Sequence, residues 1–174
     1  MNNHRPRAPA ADSVGAMTAA AVLTVSDRSS AGARPDSAGP VAVSALREAG
    51  FDCDDAMIVS DGADAVEHAL RELLASGIRF IITSGGTGIS PRDETPEGTA
   101  RVLARQIPGI AEELRRAGLA ATPASMLTRG LAGVVGDALI VNLPGSPKAV
   151  AEGMPIVLSV ATHVLSQLHG EDHS

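Results

Sequence analysis

The chain has no tryptophan and no tyrosine, and only two phenylalanines, Phe51 and Phe80, in 174 residues. Proteins that hold single-stranded nucleic acid lean on aromatic platforms, and here such a partner has almost nothing to stack on. Positive charge is also scarce. The net charge of −6 at pH 7 sets the surface field against a nucleic-acid backbone or an anionic membrane. Cys53 is the only cysteine, which rules out an intrachain disulfide and is expected of a protein from the reducing cytoplasm. No apolar run is expected to reach membrane-spanning length, and residues 1–17 lack the apolar segment of a secretory signal. The five histidines, with His4 and His173 near the ends, follow no zinc-ligand spacing. No serine sits in a nucleophile elbow. Hydrolytic and zinc chemistry are therefore not expected.

What is present centres on residues 79–97, Arg-Phe-Ile-Ile-Thr-Ser-Gly-Gly-Thr-Gly-Ile-Ser-Pro-Arg-Asp-Glu-Thr-Pro-Glu. The first residues are short, apolar and β-branched, and predict a buried strand. Three glycines within four residues then free the backbone to turn N–H groups toward an anion. Thr95 is placed to cap a helix, with Pro96 at its first position and Glu97 in the electropositive first turn. Strand, glycine loop and helix start make a phosphate-binding geometry, although the same composition also suits an ordinary tight βα turn. The loop is neither a Walker A sequence nor a dinucleotide fingerprint.

The rest of the chain alternates strand and helix patterns. Strands are expected at residues 19–26, 52–60 and 80–83. Helices are expected at 39–49 (capped by Ser37), at 63–75, from Thr95 to about 106, and at 109–117. A short helix is expected at 123–128. Residues 131–135 and 138–141 flank Gly136-Asp137 and read as a hairpin. A closing helix, interrupted near residues 153–155, is expected to reach about 168. This alternation predicts an α/β fold: three layers, α/β/α, around a mostly parallel mixed sheet. Residues 18–170 are expected to form one domain, with residues 1–17 a disordered arm and residues 171–174 a tail.

In such sheets ligands lie beyond the carboxyl ends of the strands. Asp27, Asp61, the glycine loop and the segment from Asn142 to Lys148 all follow predicted strand ends, so four segments converge on one rim. Asp61 and Asp93 are either loop-capping residues or ligands for a divalent cation that reconciles two carboxylates with a bound phosphate. Asp27 reads as structural or substrate-positioning. Lys148, the only lysine against 13 arginines, is either a solvated helix-start residue or a compact ammonium for a phosphate or carboxylate.

The string Gly85-Gly86-Thr87-Gly88, then Asp93, then Thr95-Pro96-Glu97, closely resembles the signature of the molybdenum-cofactor biosynthesis family. Within it the chain resembles the small molybdopterin adenylyltransferases of the MogA/MoaB group and the corresponding domain of gephyrin. Ser26-Asp27-Arg28 with Gly32, Asp36 and Gly39-Pro40, together with the segment 142–148, match further parts of the pattern, and the resemblance spans residues 20 to about 168. It implies a MogA/MoaB-like α/β/α domain and Mg²⁺-dependent transfer of AMP from ATP to molybdopterin, with pyrophosphate released. It also implies a homotrimer that passes its product to a molybdate-inserting protein. Asp61 and Asp93 match positions where the family carries catalytically important acids, and are expected to hold Mg²⁺. Ser26, Asp27, Ser84, Gly85, Gly86, Thr87, Gly88, Thr95, Glu97, Asn142, Gly145, Ser146 and Lys148 are the expected substrate-binding residues. The alternative is a molybdopterin-binding relative without turnover, acting as carrier or partner-binding module.

Overall fold

The computed structural model describes residues 17–170. The arm expected at residues 1–17, apart from Met17, and the tail at 171–174 lie outside them. The strands are β1 (Ala19–Val25), β2 (Asp52–Cys53), β3 (Met57–Val59), β4 (Phe80–Ser84), β5 (Arg105–Gln106), β6 (Ala132–Val135) and β7 (Ala138–Leu143). The helices are α1 (Asp27–Ser30), α2 (Gly39–Glu48), α3 (Ala63–Ala75), α4 (Thr95–Ala100), α5 (Pro108–Gly118) and α6 (Pro147–Leu168), with a 3₁₀ helix at Pro123–Leu127.

The strands form one sheet in the order β2-β1-β4-β7-β6-β5, with β3 also pairing with β1. Pairings of β1 with β2, β3 and β4, and of β4 with β7, are parallel, while β7-β6 and β6-β5 are antiparallel. Side chains alternate across the pleat with period two, and this divides the core. Val22, Phe80, Ile82, Leu139 and Val141 face the layer containing α2, α5 and α6. Leu23, Val25, Ile81 and Ile140 face the layer with α3, where Val66, Ala69, Leu70 and Leu73 repeat at helical spacing. The expected three-layer α/β/α fold is the one observed, and the central strands are apolar on both faces because both are covered.

Several boundaries differ from expectation, each for a local reason. Residues 52–60 form two short strands on β1 instead of one. Ala38, not Ser37, holds the N-cap position of α2 and has no polar side chain to cap with; from just outside the helix Asp36 Oδ1 accepts from the backbone N–H groups of Ala38 and Gly39, and its Oδ2 accepts from Thr24 Oγ1 at 2.7 Å. Thr95 is the first residue of α4 instead of its cap. That helix also ends early, because Arg105 and Gln106 pair with β6. Residues 27–30, where no helix was expected, make the short helix α1 capped by Ser26 Oγ. The closing helix is continuous through Pro155. Pro155 and Ala151, whose carbonyl loses its helical N–H partner, are both exposed, so water can replace the missing bond. Among the described residues that helix is also, by length and composition alone, long and apolar enough to cross a membrane, contrary to the expectation from apolar runs. Its Val150, Met154, Val157, Ala161 and Leu165 are packed into the core.

The helices α3 and α4 meet very closely at Gly98 of α4. A Cβ there would lie 2.5 Å from the Ala63 carbonyl oxygen and 2.8 Å from Val66 Cβ. Alanine is the better helix former by about 0.5–1 kcal/mol, but overpacking of this kind costs about 1–3 kcal/mol. Gly98→Ala is therefore expected to lower the thermal midpoint by about 2–6 °C, as measured by calorimetry. An unchanged or raised midpoint would show that α3 and α4 separate at little cost.

Candidate functional site

The carboxyl ends of β1, β3, β4 and β7 open onto a cleft of about 670 Å³, a size suited to a nucleotide or cofactor fragment. Eleven of the expected residues line it together: Ser26, Asp27, Asp61, Ser84, Gly85, Gly86, Thr87, Gly88, Asp93, Gly145 and Ser146. Glycine is required in the loop after β4. Gly85 has φ 105° and Gly86 has φ 63°, in the left-handed region that other residues rarely adopt. A Cβ at Gly85 would meet the Val25 carbonyl oxygen, and one at Gly86 would meet Thr95 Oγ1.

The loop's hydrogen bonds are one-sided. The carbonyls of Gly85 and Gly86 accept from Thr95, through Oγ1 at 2.9 Å and through the backbone N–H at 3.0 Å. The carbonyl of Thr87 accepts from the Arg129 backbone N–H at 2.8 Å, and that of Gly88 from Arg129 Nε at 2.8 Å. Among the described residues, the N–H groups of Gly86, Thr87, Gly88 and Ile89 donate to no protein group. A run of backbone N–H groups without internal acceptors is suited to an anion.

Three carboxylates surround this loop. Asp61 and Asp27 are locked reciprocally: the Asp27 N–H donates to Asp61 Oδ2 at 2.8 Å, and the Asp61 N–H donates to Asp27 Oδ1 at 3.1 Å. Arg92 grips Asp27 with two donors, at 3.0 and 2.9 Å, and reaches the Asp61 carbonyl at 2.8 Å. That bidentate bond is the main reason the Asp27 carboxyl lies below the usual carboxylate range. Asp61 is pushed the other way, first by burial, with Asp27 and Asp93 adding repulsion. Asp93 Oδ2 accepts from the Ser90 N–H at 3.0 Å. No cluster of three or more His, Cys, Asp or Glu among the described residues is arranged to hold a metal ion. A Mg²⁺ held by one or two carboxylates together with substrate phosphate oxygens needs no such cluster, and Asp61 and Asp93 fit that donor set.

Four expected residues stand off the cleft. Thr95 is fully buried beneath the loop. Glu97 is paired with Arg129, which holds its carboxyl below the ordinary value. The amide of Asn142 is committed inside the protein, donating to Thr83 and Thr99 Oγ1 and accepting from the Leu131 N–H. Lys148 is exposed, 3.8 Å from Glu152, and borders a smaller side cavity of about 190 Å³ that shares Ser125, Thr128, Ser146 and Ala149 with the cleft. Sequence reasoning missed Arg92 and Arg129. The first stands next to Asp93 in the motif, so its position was a usable signal. The second is 41 residues from Gly88, and only the fold brings it there.

The comparisons with known proteins point to one family. A family model described as "Probable molybdopterin binding domain" matches residues 21–163. The molybdopterin adenylyltransferase of Haemophilus influenzae is 35% identical over 147 residues, covering 83% of this chain and 75% of that protein. The solved structure of the molybdopterin biosynthesis Mog protein from Mycobacterium ulcerans is 42% identical, with a TM-score of 0.84, over 90% of this chain and 100% of that one. The molybdenum cofactor biosynthesis bifunctional protein of Chlorobaculum tepidum is 34% identical over 154 residues, 88% of this chain and 49% of its own length. The chain spans about half the length of the bifunctional relatives it matches.

The carboxylate pair makes a titration prediction. In a ¹³C NMR titration Asp61 is expected above the ordinary carboxylate pKa and Asp27 below it. Arg92→Gln should raise Asp27 toward its ordinary value and raise Asp61 further, since both lose a cation. The linkage signs are opposite. The contribution of Asp27 to stability is present above its unfolded pKa and fades as pH falls through the folded value. That of Asp61 is present at low pH and fades as pH rises through its folded value. Unmoved titrations in the variant would contradict the network.

Proposed function

This chain belongs to the molybdopterin-binding domain family, and on that premise we propose that it transfers AMP from ATP to the terminal phosphate of molybdopterin. The observation that carries this reading is the run of unpaired N–H groups on residues 86–89, set against the carboxylates of Asp61 and Asp93 in one cleft. A terminal phosphate oxygen of molybdopterin attacks the α-phosphorus of ATP. The bond from that phosphorus to the bridging oxygen breaks, and pyrophosphate leaves. The nucleophile is already ionised, so the protein has no proton to remove.

What remains for the protein is alignment and charge management. The glycine loop offers N–H groups to phosphate oxygens, and Gly145 and Ser146 border the second substrate. Asp61 and Asp93 hold Mg²⁺, which when bound neutralises phosphate charge. Arg92 occupies Asp27, so that of the three acids only two face the phosphates unneutralised. Thr95 and Asn142 serve by holding the loop and strand ends from beneath, and Lys148 stands beside the side cavity.

The protein acts in the cytoplasm as a homotrimer and delivers its product to a molybdate-inserting protein. The apolar groove between α2 and α6, with Pro40, Val41, Ala45, Met154, Pro155 and Leu158, supports assembly, because such a surface is better buried than left wet. Light scattering is expected to give a trimer mass across micromolar dilution, and a monomer mass would exclude it.

Two variants test the chemistry. Asp61→Asn and Asp93→Asn are expected to keep their thermal midpoints while AMP transfer falls by at least ~10²-fold, the scale of a lost preorganised charge partner. The readout is adenylyl-molybdopterin by mass spectrometry, with and without Mg²⁺. Wild-type protein that binds molybdopterin and never transfers AMP would establish the carrier reading instead.

A further inference from the structure

We propose that Arg129 is a positioning residue that holds the carbonyls of the glycine loop out of the cleft and so keeps its N–H groups open to phosphate. The inference rests on the reading of residues 85–88 as a phosphate cradle. Because a peptide unit is planar and trans, its C=O and the following N–H point in opposite directions. Fixing a carbonyl therefore fixes the next N–H. Thr95 does this for the first two loop carbonyls and Arg129 for the next two. The N–H groups whose direction is thereby set are those of Gly86, Thr87, Gly88 and Ile89, the same four that donate to nothing else among the described residues.

Arg129 does more than satisfy one oxygen. Its Nη2 takes the Asp93 carbonyl at 2.5 Å, and its Nη1 pairs with the Glu97 carboxylate. One guanidinium thus spans residues 88 and 93, the two ends of the segment that carries Asp93 into the cleft. The neighbouring Thr128 donates to Thr87 Oγ1 at 3.0 Å, which ties the segment after the 3₁₀ helix to the same loop. Without these bonds the Gly88 peptide is free to rotate, since glycine offers little steric resistance. A flipped peptide aims a carbonyl oxygen at the phosphate in place of an N–H. Lysine cannot substitute, because its single ammonium lacks the planar fork that reaches a carbonyl on each side and a carboxylate.

The test measures ATP and adenosine binding to the full chain by calorimetry, for wild type and Arg129→Lys, beside thermal midpoints. Arg129→Lys preserves charge, so a change reports geometry. It is expected to leave adenosine binding unaltered and weaken ATP binding by about 10-fold or more, the scale of a lost charge-assisted hydrogen bond. Equal ATP affinity in the two proteins overturns the inference. So does a parallel loss of ATP and adenosine binding, which would mark a merely structural role. Wild type that binds ATP no more tightly than adenosine would instead sink the phosphate-cradle reading itself. Should Arg129→Lys fail to fold, Glu97→Gln loosens the same guanidinium from its anchor and is expected to weaken ATP binding selectively by about 3-fold, half a charge-assisted bond or less. Unchanged ATP binding there overturns the inference as well.

Discussion

Four consecutive backbone carbonyls, those of residues 85–88, are each tied by a hydrogen bond, and in a planar trans peptide each points opposite to the N–H that follows it. The rest of the site depends on that constraint. A peptide with its oxygen tied cannot turn, so the opposing N–H groups are aimed before any ligand arrives. Binding a phosphate then costs little loop ordering, which is the general advantage of preorganisation. The tie also explains why two distant parts of the chain meet here. Thr95 comes from the helix after the loop. Arg129 comes from the connection between the 3₁₀ helix and β6, whose antiparallel placement beside β7 delivers it to the loop's far side.

Charge is the second constraint. Three acids in a phosphate-binding cleft repel the substrate and one another, and the protein divides them. Asp27 is given to Arg92, which stabilises its charged form. Asp27 in turn fixes the Asp61 backbone and carboxylate through their reciprocal bonds. Asp61 is left partly desolvated, with its charged form disfavoured, and gains from a neighbouring cation. The arrangement suits a site that is completed by phosphate and divalent metal together.

Much of this was legible in the sequence where signals are local. The short apolar strands, the helix at 63–75, the hairpin about Gly136-Asp137 and the glycine loop all carry their own patterns. Asp27, Asp61 and Asp93 were legible as rim residues because each follows a strand end or the motif. What failed were features decided by tertiary pairing. Arg105 and Gln106 look helical until β6 offers a ladder, and Pro155 looks like a break until the exposed side of α6 is known. Thr95 has the composition of a cap but is drawn beneath the loop by its bond to Gly85. Arg129 has no local signal at all, since its partners lie 32 to 42 residues away.

The central claim is that the N–H groups of residues 86–89 receive the phosphate. ¹⁵N-resolved NMR of the full chain with inorganic pyrophosphate added tests it most directly. The account predicts that the Gly86, Thr87, Gly88 and Ile89 amide protons shift downfield together, as amides do on donating to an anion. Shifts confined to the start of α6 and the side cavity, with these four amides unmoved, would contradict it.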